Sequence, residues 1–322
     1  MSCASGAMRA GYTQCMELRQ LRHFVAVAEA GNFSEAARRV FLSQPALTRS
    51  IKTLEEQLDT QLLERGPQGA TLTASGALFL EHARMILNDC DRAQREMRMF
   101  NEGGAGHVSM GIAALFAGWI ADEAVQRARV QMPNVELSVI EGYFEDLLGL
   151  LRVGQIDFAL TNFAQPALDD EFVVEPILQL QARMIAASHH PLASRAQLTP
   201  QDLAAADWVT INKAHSLDIL MQFFGNFELP APRALQTNSL ALLKAVVANG
   251  SHLTLVSHAV MHRELQRGQV KILEVDVPEV TREAGLIYLR DRARTSAVER
   301  MLQIVREAGA DDPRGGRDAR SA

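Results

Sequence analysis

The chain has 322 residues, 48% of them hydrophobic and 22% charged, with a formal net charge of −6. That length exceeds one typical domain and predicts two or three, and the acidic total excludes a protein that binds nucleic acid by bulk charge. Three cysteines (Cys3, Cys15 and Cys90) show no C-x-x-C spacing, which argues against a disulfide framework or a cysteine-rich zinc site, and no apolar run approaches the roughly 20 residues of a membrane span.

Residues 1–15, MSCASGAMRAGYTQC, lack the apolar core of a signal peptide. They are expected to form a disordered leader on a cytoplasmic protein with no membrane partner, with Met16 opening the folded part. From residue 16 to 74 the periodicity is helical. Leu18, Leu21, Phe24, Val25 and Ala28 mark a first helix, stopped by Gly31-Asn32. Ser34 is placed to cap a second, with Ala36, Ala37, Val40 and Phe41 on its inner face. A tight link, Leu42-Ser43, leads to a third, SQPALTRSIKTLEEQL. There Leu47, Ile51, Leu54 and Leu58 form one apolar stripe, and Pro45, Thr48, Arg49 and Lys52 fall opposite. Ser43 is the expected N-cap, Pro45 sits in the first turn, and Gln44 points outward at the helix start.

Alone, that third segment reads first as an ordinary amphipathic surface helix with a solvated polar face. Two short amphipathic helices joined by a minimal turn, however, make a helix-turn-helix. Its second helix carries the amide, hydroxyl and guanidinium groups that read base edges in a major groove. Between Ser34 and Lys52, the cations Arg38, Arg39, Arg49 and Lys52 stand against Glu35 alone. A basic patch on an acidic chain suits sequence-selective contact. After Leu58, DTQLLERGPQGATLT reads as a β-hairpin wing with Arg65 near its base, placed to touch backbone phosphate. The candidate contacts to double-stranded promoter DNA are Ser34, Arg38, Ser43, Gln44, Pro45, Thr48, Arg49, Lys52 and Arg65.

The stretch from LRQLRHF to TLTASG resembles the winged helix-turn-helix of LysR-type transcriptional regulators. The likeness is carried by F-x-x-V-A-E-x-G-x-F-x-x-A-A, by LSQPALTR, and by the LLER and LTASG pieces of the wing. It implies that Gln44, Pro45, Thr48 and Arg49 face DNA. Thr48 replaces the commoner serine and adds a methyl able to touch a thymine.

Residues 75–101 read as a linker helix, with Thr73 as its N-cap. Phe79, Ala83, Ile86, Cys90, Ala93, Met97 and Phe100 alternate four and three apart, a heptad seam. Such a seam predicts a homodimer, the alternative being that the stripe packs onto its own chain. The resemblance implies dimerisation through this helix. Two symmetric copies would set two recognition helices on an inverted repeat. The same likeness implies a homotetramer built as a dimer of dimers, with RNA polymerase as a further partner. Cys90 has no basic neighbour at i±3 or i±4, so it reads as a small buried hydrophobe rather than a redox sensor. NEGGAGH then forms a hinge.

Beyond residue 107, strands alternate with helices, the pattern of parallel sheets covered on both faces. VSMGIAA, VELSVIEG and IDFALT read as strands, as do RMIAASHH, WVTIN, RALQTN, HLTLVS and GLIYLR. Helices fall between the first strands and at Leu217–Phe224, Leu240–Ala248 and Ser296–Ala308. The predicted architecture is an α/β effector module of two Rossmann-like subdomains. Subdomain I comprises residues 107–177 and 281–308, and subdomain II residues 178–280. Two extended crossings join them, near Val174–Gln179 and Val275–Thr281. The topology, EGYFEDLLGLLRVGQIDFAL and HHPLA resemble the periplasmic-binding-protein-like effector domain of the same family. Residues 309–322 are charged and Gly-rich and read as a disordered tail.

In open parallel sheets ligands bind beyond the carboxyl ends of the strands. The strand ends offer Ala113, Ala114, Glu141, Thr161, Asn162, Thr210, Asn212, Lys213, His215, Thr237, Asn238 and Ser239. The helix after Ser239 presents free N–H groups to an anion, and Lys213 and His215 add positive charge, which points to a small acidic inducer. Each of these residues has an alternative reading as a helix cap or solvated loop. Relatives in the family commonly carry a hydroxyl at the first strand end and G-x-G near Gly250. This chain has Ala113-Ala114 and Gly250-Ser251-His252.

There is no P-loop, no H-E-x-x-H and no G-x-S-x-G. No enzyme activity, cofactor or metal is expected. The expected function is a DNA-binding regulator that senses a small molecule between its effector subdomains. The alternatives are a cytoplasmic small-molecule binding protein with no DNA role, and an enzyme on the same fold.

Overall fold

The structure, a computed structural model, describes residues 16–66, 69–101, 106–163, 168–211, 216–230, 232–275 and 281–310. The chain forms two compact units, an N-terminal one of helices and a C-terminal one built on a large sheet.

In the first unit, α1 (Leu18–Ala30) opens on a capping box between Glu17 and Gln20 and ends at Gly31, φ +66°. Helix α2 (Phe33–Arg39) is capped by Asn32, whose side chain accepts the Glu35 N–H at 2.7 Å. The cap expected of Ser34 is thus taken by the residue two earlier, which leaves the Ser34 hydroxyl free for another partner. Helix α3 (Gln44–Leu58) is capped by Ser43, and Leu47, Ile51 and Leu54 are buried as its stripe requires. They pack with Leu21, Phe24, Val27, Ala36 and Ala37. In α1 it is Val27, not Leu18, that reaches this core; Leu18 is exposed.

Phe41 departs further from expectation. It is 95% exposed. The chain reverses there with φ +55°, and the Leu42 N–H closes back on the Ala37 carbonyl at 2.9 Å. Bringing α3 alongside α2 through so short a turn swings this side chain outward.

The wing is an antiparallel pair, β1 (Leu63–Gly66) and β2 (Gly69–Leu72), with Leu63 opposite Leu72. Glu55 of α3 accepts the N–H groups of Leu62 and Leu63 at 2.8 and 3.1 Å, so a carboxylate ties wing to recognition helix. On the other side the Ala70 N–H donates to the Gly31 carbonyl at 2.7 Å. A Cβ on Gly69 would stand 2.2 Å from that carbonyl oxygen, so only glycine permits the approach.

Helix α4 (Ala74–Asn101) starts on Thr73, whose hydroxyl accepts the Gly76 N–H at 2.9 Å. Its seam is divided. Ala83 is fully buried in the core of its own unit, and Phe79 and Ile86 pack against that core. The Phe79 ring lies 5.3 Å from Phe24. These three residues were expected to await a second chain, but the side of α1 needs covering and they cover it. Ala93 and Met97 remain exposed, Cys90 is partly exposed, and the Phe100 side chain lies outside the described residues.

In the second unit, subdomain I contains β3 (His107–Ile112), α5 (Ile120–Gln131), β4 (Glu136–Glu141), α6 (Phe144–Arg152) and β5 (Phe158–Phe163). The chain then enters β6 (Phe172–Ala187), a 16-residue strand. Subdomain II follows with α7 (Pro200–Ala204), β7 (Trp208–Ile211), α8 (Ser216–Gly225), β8 (Ala234–Thr237), α9 (Leu240–Asn249), β9 (Thr254–Ser257), α10 (His262–Gln266) and β10 (Val270–Ile272). The return is β11 (Thr281–Leu289) and α11 (Ser296–Ala310).

The main sheet runs β4-β3-β5-β11-β6. β3 is parallel to β4 and β5, and β11 is antiparallel to both β5 and β6. β6 then continues into subdomain II, where Ile185 pairs with Ile272 of β10 on one edge and Thr254 of β9 on the other. β7 and β8 pair in parallel, and a bridge joins Trp208 to Leu253. The first predicted crossing therefore lies in the first half of one long strand, and most of the second lies outside the described residues. Helix α11 returns to subdomain I, burying Val298, Met301, Leu302 and Val305 beside α5. Arg306 on α11 grips Glu175 on β6 through two bonds of 2.6 and 2.9 Å.

Candidate functional site

The exposed surface of the helix-turn-helix is built from residues that the core does not use. Ser34, Arg38, Ser43, Gln44, Pro45, Arg49 and Lys52 are all exposed, and Thr48 is half-buried. The Ser34 hydroxyl donates to Gln44 Oε1 at 3.1 Å, which links the starts of α2 and α3. Arg38 and Arg39 both pair with Glu35, and Lys52 lies 3.6 Å from Glu56. Among the described residues Arg49 makes no ion pair, so its guanidinium is the least committed cation on this face. Arg65 lies in β1 opposite Ala70; its side chain is outside the described residues.

Beneath this face, His23 of α1 is buried and its Nδ1 lies 2.7 Å from the Ser50 hydroxyl of α3. Burial, and secondarily the charge of Arg19, hold the imidazole below its ordinary pKa, so it favours the neutral form. The apolar pattern alone gave no sign of this contact, since His23 lies one residue beside the predicted stripe.

In the C-terminal unit the strand ends divide by face. Ala113 is buried and Ala114 half-buried; Glu141, the last residue of β4, is exposed. Thr161 is buried, pairs with Gly285, and donates its hydroxyl to the Asn162 carbonyl at 3.3 Å. It shares its face with Ala159 and Phe163, which pack against α6. Thr161 therefore lies on the α6 side of the sheet, because side chains alternate along a strand. Asn162 turns the other way. Thr210 is buried with an unpartnered hydroxyl, and Asn212, Lys213 and His215 lie outside the described residues.

The Thr237 hydroxyl accepts the Ser239 N–H at 3.0 Å, and the Ser239 hydroxyl caps α9 by accepting the Leu242 N–H at 3.2 Å. The helix start imagined as an anion site is therefore partly filled by its own serine. The Asn238 carbonyl accepts a 2.9 Å hydrogen bond from the Tyr143 hydroxyl of subdomain I. Burial, then Asp146 and Glu141, raise the pKa of that phenol and keep it a donor. Arg263 and Asp122 also meet across the subdomains, at 3.6 Å. Neither contact was foreseen, since each joins residues far apart in sequence.

No described helix is long and apolar enough to cross a membrane. No cluster of three or more potential metal ligands occurs among the described residues.

Known proteins align with both units. Residues 18–77 match the family described as bacterial regulatory helix-turn-helix protein, lysR family, and residues 101–310 match LysR substrate binding domain. A relative from Pseudomonas sp., "SDS degradation transcriptional activation protein", is 31% identical over 92% of this chain and 98% of its own length. The solved structure of ArgP from Mycobacterium tuberculosis covers 92% of this chain and 98% of its own, with a TM-score of 0.66 at 17% identity. Full-length CbnR in complex with its target DNA covers 91% of this chain and 100% of its own, with a TM-score of 0.65 at 23% identity. At those identities the two structures speak for the fold. Together with the two family matches they place the chain among the LysR-type transcriptional regulators, DNA-binding proteins that join a helix-turn-helix to an effector-binding domain.

Proposed function

We propose that this regulator binds an inverted-repeat promoter site as a dimer of dimers in the cytoplasm and is switched by a small acidic inducer between the effector subdomains. RNA polymerase is the partner through which the switch is read. The chain divides for this task into a DNA-binding domain, residues 16–74, a linker helix, residues 75–101, and the two effector subdomains. Its relatives are transcriptional regulators, and no catalysis is assigned to it.

The observation that carries the reading is the exposed guanidinium of Arg49, without an ion pair among the described residues, beside Gln44 and Thr48 on a capped helix. A bidentate arginine reads a guanine edge, while ion-paired neighbours such as Arg38 contribute mainly field. Pairing of two copies falls to the exposed second half of α4, around Ala93 and Met97, since its first half is occupied. Inducer binding acts as a population shift: it favours whichever subdomain arrangement binds it more tightly.

A mobility-shift titration with the upstream promoter at fixed salt tests the DNA half. Arg49→Ala should cost about 1–3 kcal/mol and flatten discrimination between sites. An equal loss on every sequence would make Arg49 a phosphate contact, and no loss would remove it from the interface.

A further inference from the structure

Strand register brings three polar side chains of the C-terminal unit to one face. Arg282, second residue of β11, lies opposite Leu180 of β6. Ala284 lies opposite both Leu178 of β6 and Asn162 of β5. Residues paired across antiparallel strands, and residues two apart along one, share a face. Arg282, Asn162 and Leu180 therefore project the same way. Ser257 of β9 pairs with Ala182, two residues beyond Leu180, and joins them. This place lies at the carboxyl end of β5, whose last residue, Phe163, pairs with Glu283.

The chemistry there is incomplete. Arg282 is partly buried, and burial alone lowers its pKa; no carboxylate acts to raise it. Arg306 is the opposite case, with Glu175 raising it. The Ser257 hydroxyl is buried without a hydrogen-bond partner, and the Asn162 amide makes no side-chain hydrogen bond among the described residues. A partly desolvated cation with no counter-charge among the described residues is costly, and an anion arriving from outside would relieve it. Leu180, opposite Arg282, belongs to the apolar cluster of subdomain I, as does Ala113, which follows β3 and donates its N–H to Leu160 of β5.

We propose that Arg282 receives the acid group of a small monocarboxylate whose remaining body is apolar. Asn162 and Ser257 donate to the same group, and the body lies against Ala113 and Leu180. This rests on the cleft being the effector site and names the ligand's class and its anchor. The anchor is a strand residue of the return crossing, not the lysine, histidine and helix start of subdomain II.

The test uses the full-length chain beside Arg282→Met and Arg282→Lys, each checked for retained promoter binding. Without ligand, Arg282→Met should melt higher than wild type, because an unanswered charge has been removed. A clearly lower melting temperature would mean that protein groups already hold the guanidinium, and would overturn the assignment. Straight-chain monocarboxylates from butanoate to decanoate, with benzoate, are then titrated against their neutral amides. Wild type should bind at least one acid and no amide. Arg282→Lys should bind that acid more weakly, and Arg282→Met roughly 10- to 100-fold more weakly. Equal binding by wild type and Arg282→Met would leave an acid-sensing cleft with a different anchor. A wild type that responds to none of the acids would overturn the ligand class, whatever the promoter titration shows.

Discussion

Phe41 combines a left-handed backbone, φ +55°, with a side chain that is 95% exposed. A bulky residue pays steric cost in that region, and this one recovers almost no burial in return. Phe41→Asn should therefore raise stability by about 1 kcal/mol in chemical denaturation. His23 is the second residue with a consequence. Its pKa is lowered on folding, so the unfolded chain binds a proton more readily than the folded one. Its contribution is complete above the ordinary imidazole value and is lost as pH falls below about 6.5. Denaturation midpoints should fall between neutral pH and about pH 5, and His23→Gln should reduce that dependence. An unchanged slope would mean that other groups carry the acid sensitivity. Single residues were the least legible part of the sequence. Arg282 escaped notice because its meaning lies in strand pairing with Leu180 and, through Ala284, with Asn162, and nothing in its local neighbourhood announces that. Thr161 and Asn162 are neighbours in sequence, but a strand sends them to opposite faces, Thr161 with Ala159 and Phe163 and Asn162 with Ala284.

Among elements, the helix-turn-helix was legible nearly residue by residue because its information is local: a serine cap, a proline in the first turn and an apolar stripe that buries as spaced. Elements of three to five residues, such as α7, α10 and β10, are too short to show a period in the sequence. Helix α4 shows a different limit. A heptad pattern states that a stripe must be covered but not by which chain. Here α1 covers the first half, and the two halves should respond oppositely to the same change. Ala83→Glu would bury a charge in a closed core and should abolish folding of the N-terminal unit, visible by circular dichroism. Ala93→Glu together with Met97→Glu should leave that unit folded but shift the protein to smaller species in sedimentation velocity. If the double variant sediments as wild type does, the exposed half of α4 is not where copies meet.

On the scale of the whole C-terminal unit, the two subdomains touch through few polar contacts among the described residues. The Arg263–Asp122 pair is exposed and contributes little, and Tyr143 reaches across to one carbonyl. What joins them continuously is β6, paired to β11 over its first part and to β9 and β10 beyond. Amides from Leu178 to Ile185 should accordingly rank among the slowest to exchange with deuterium, slower than those of the edge strand β4. Fast exchange there would show that the lobes separate by unzipping. Because a single strand closes the edge of the main sheet in one lobe and runs between β9 and β10 in the other, neither lobe can be excised as an independent fragment. A piece ending at residue 177 or beginning at residue 178 would expose a raw backbone edge, and such a fragment should aggregate when produced alone and recover solubility only when the missing half is supplied.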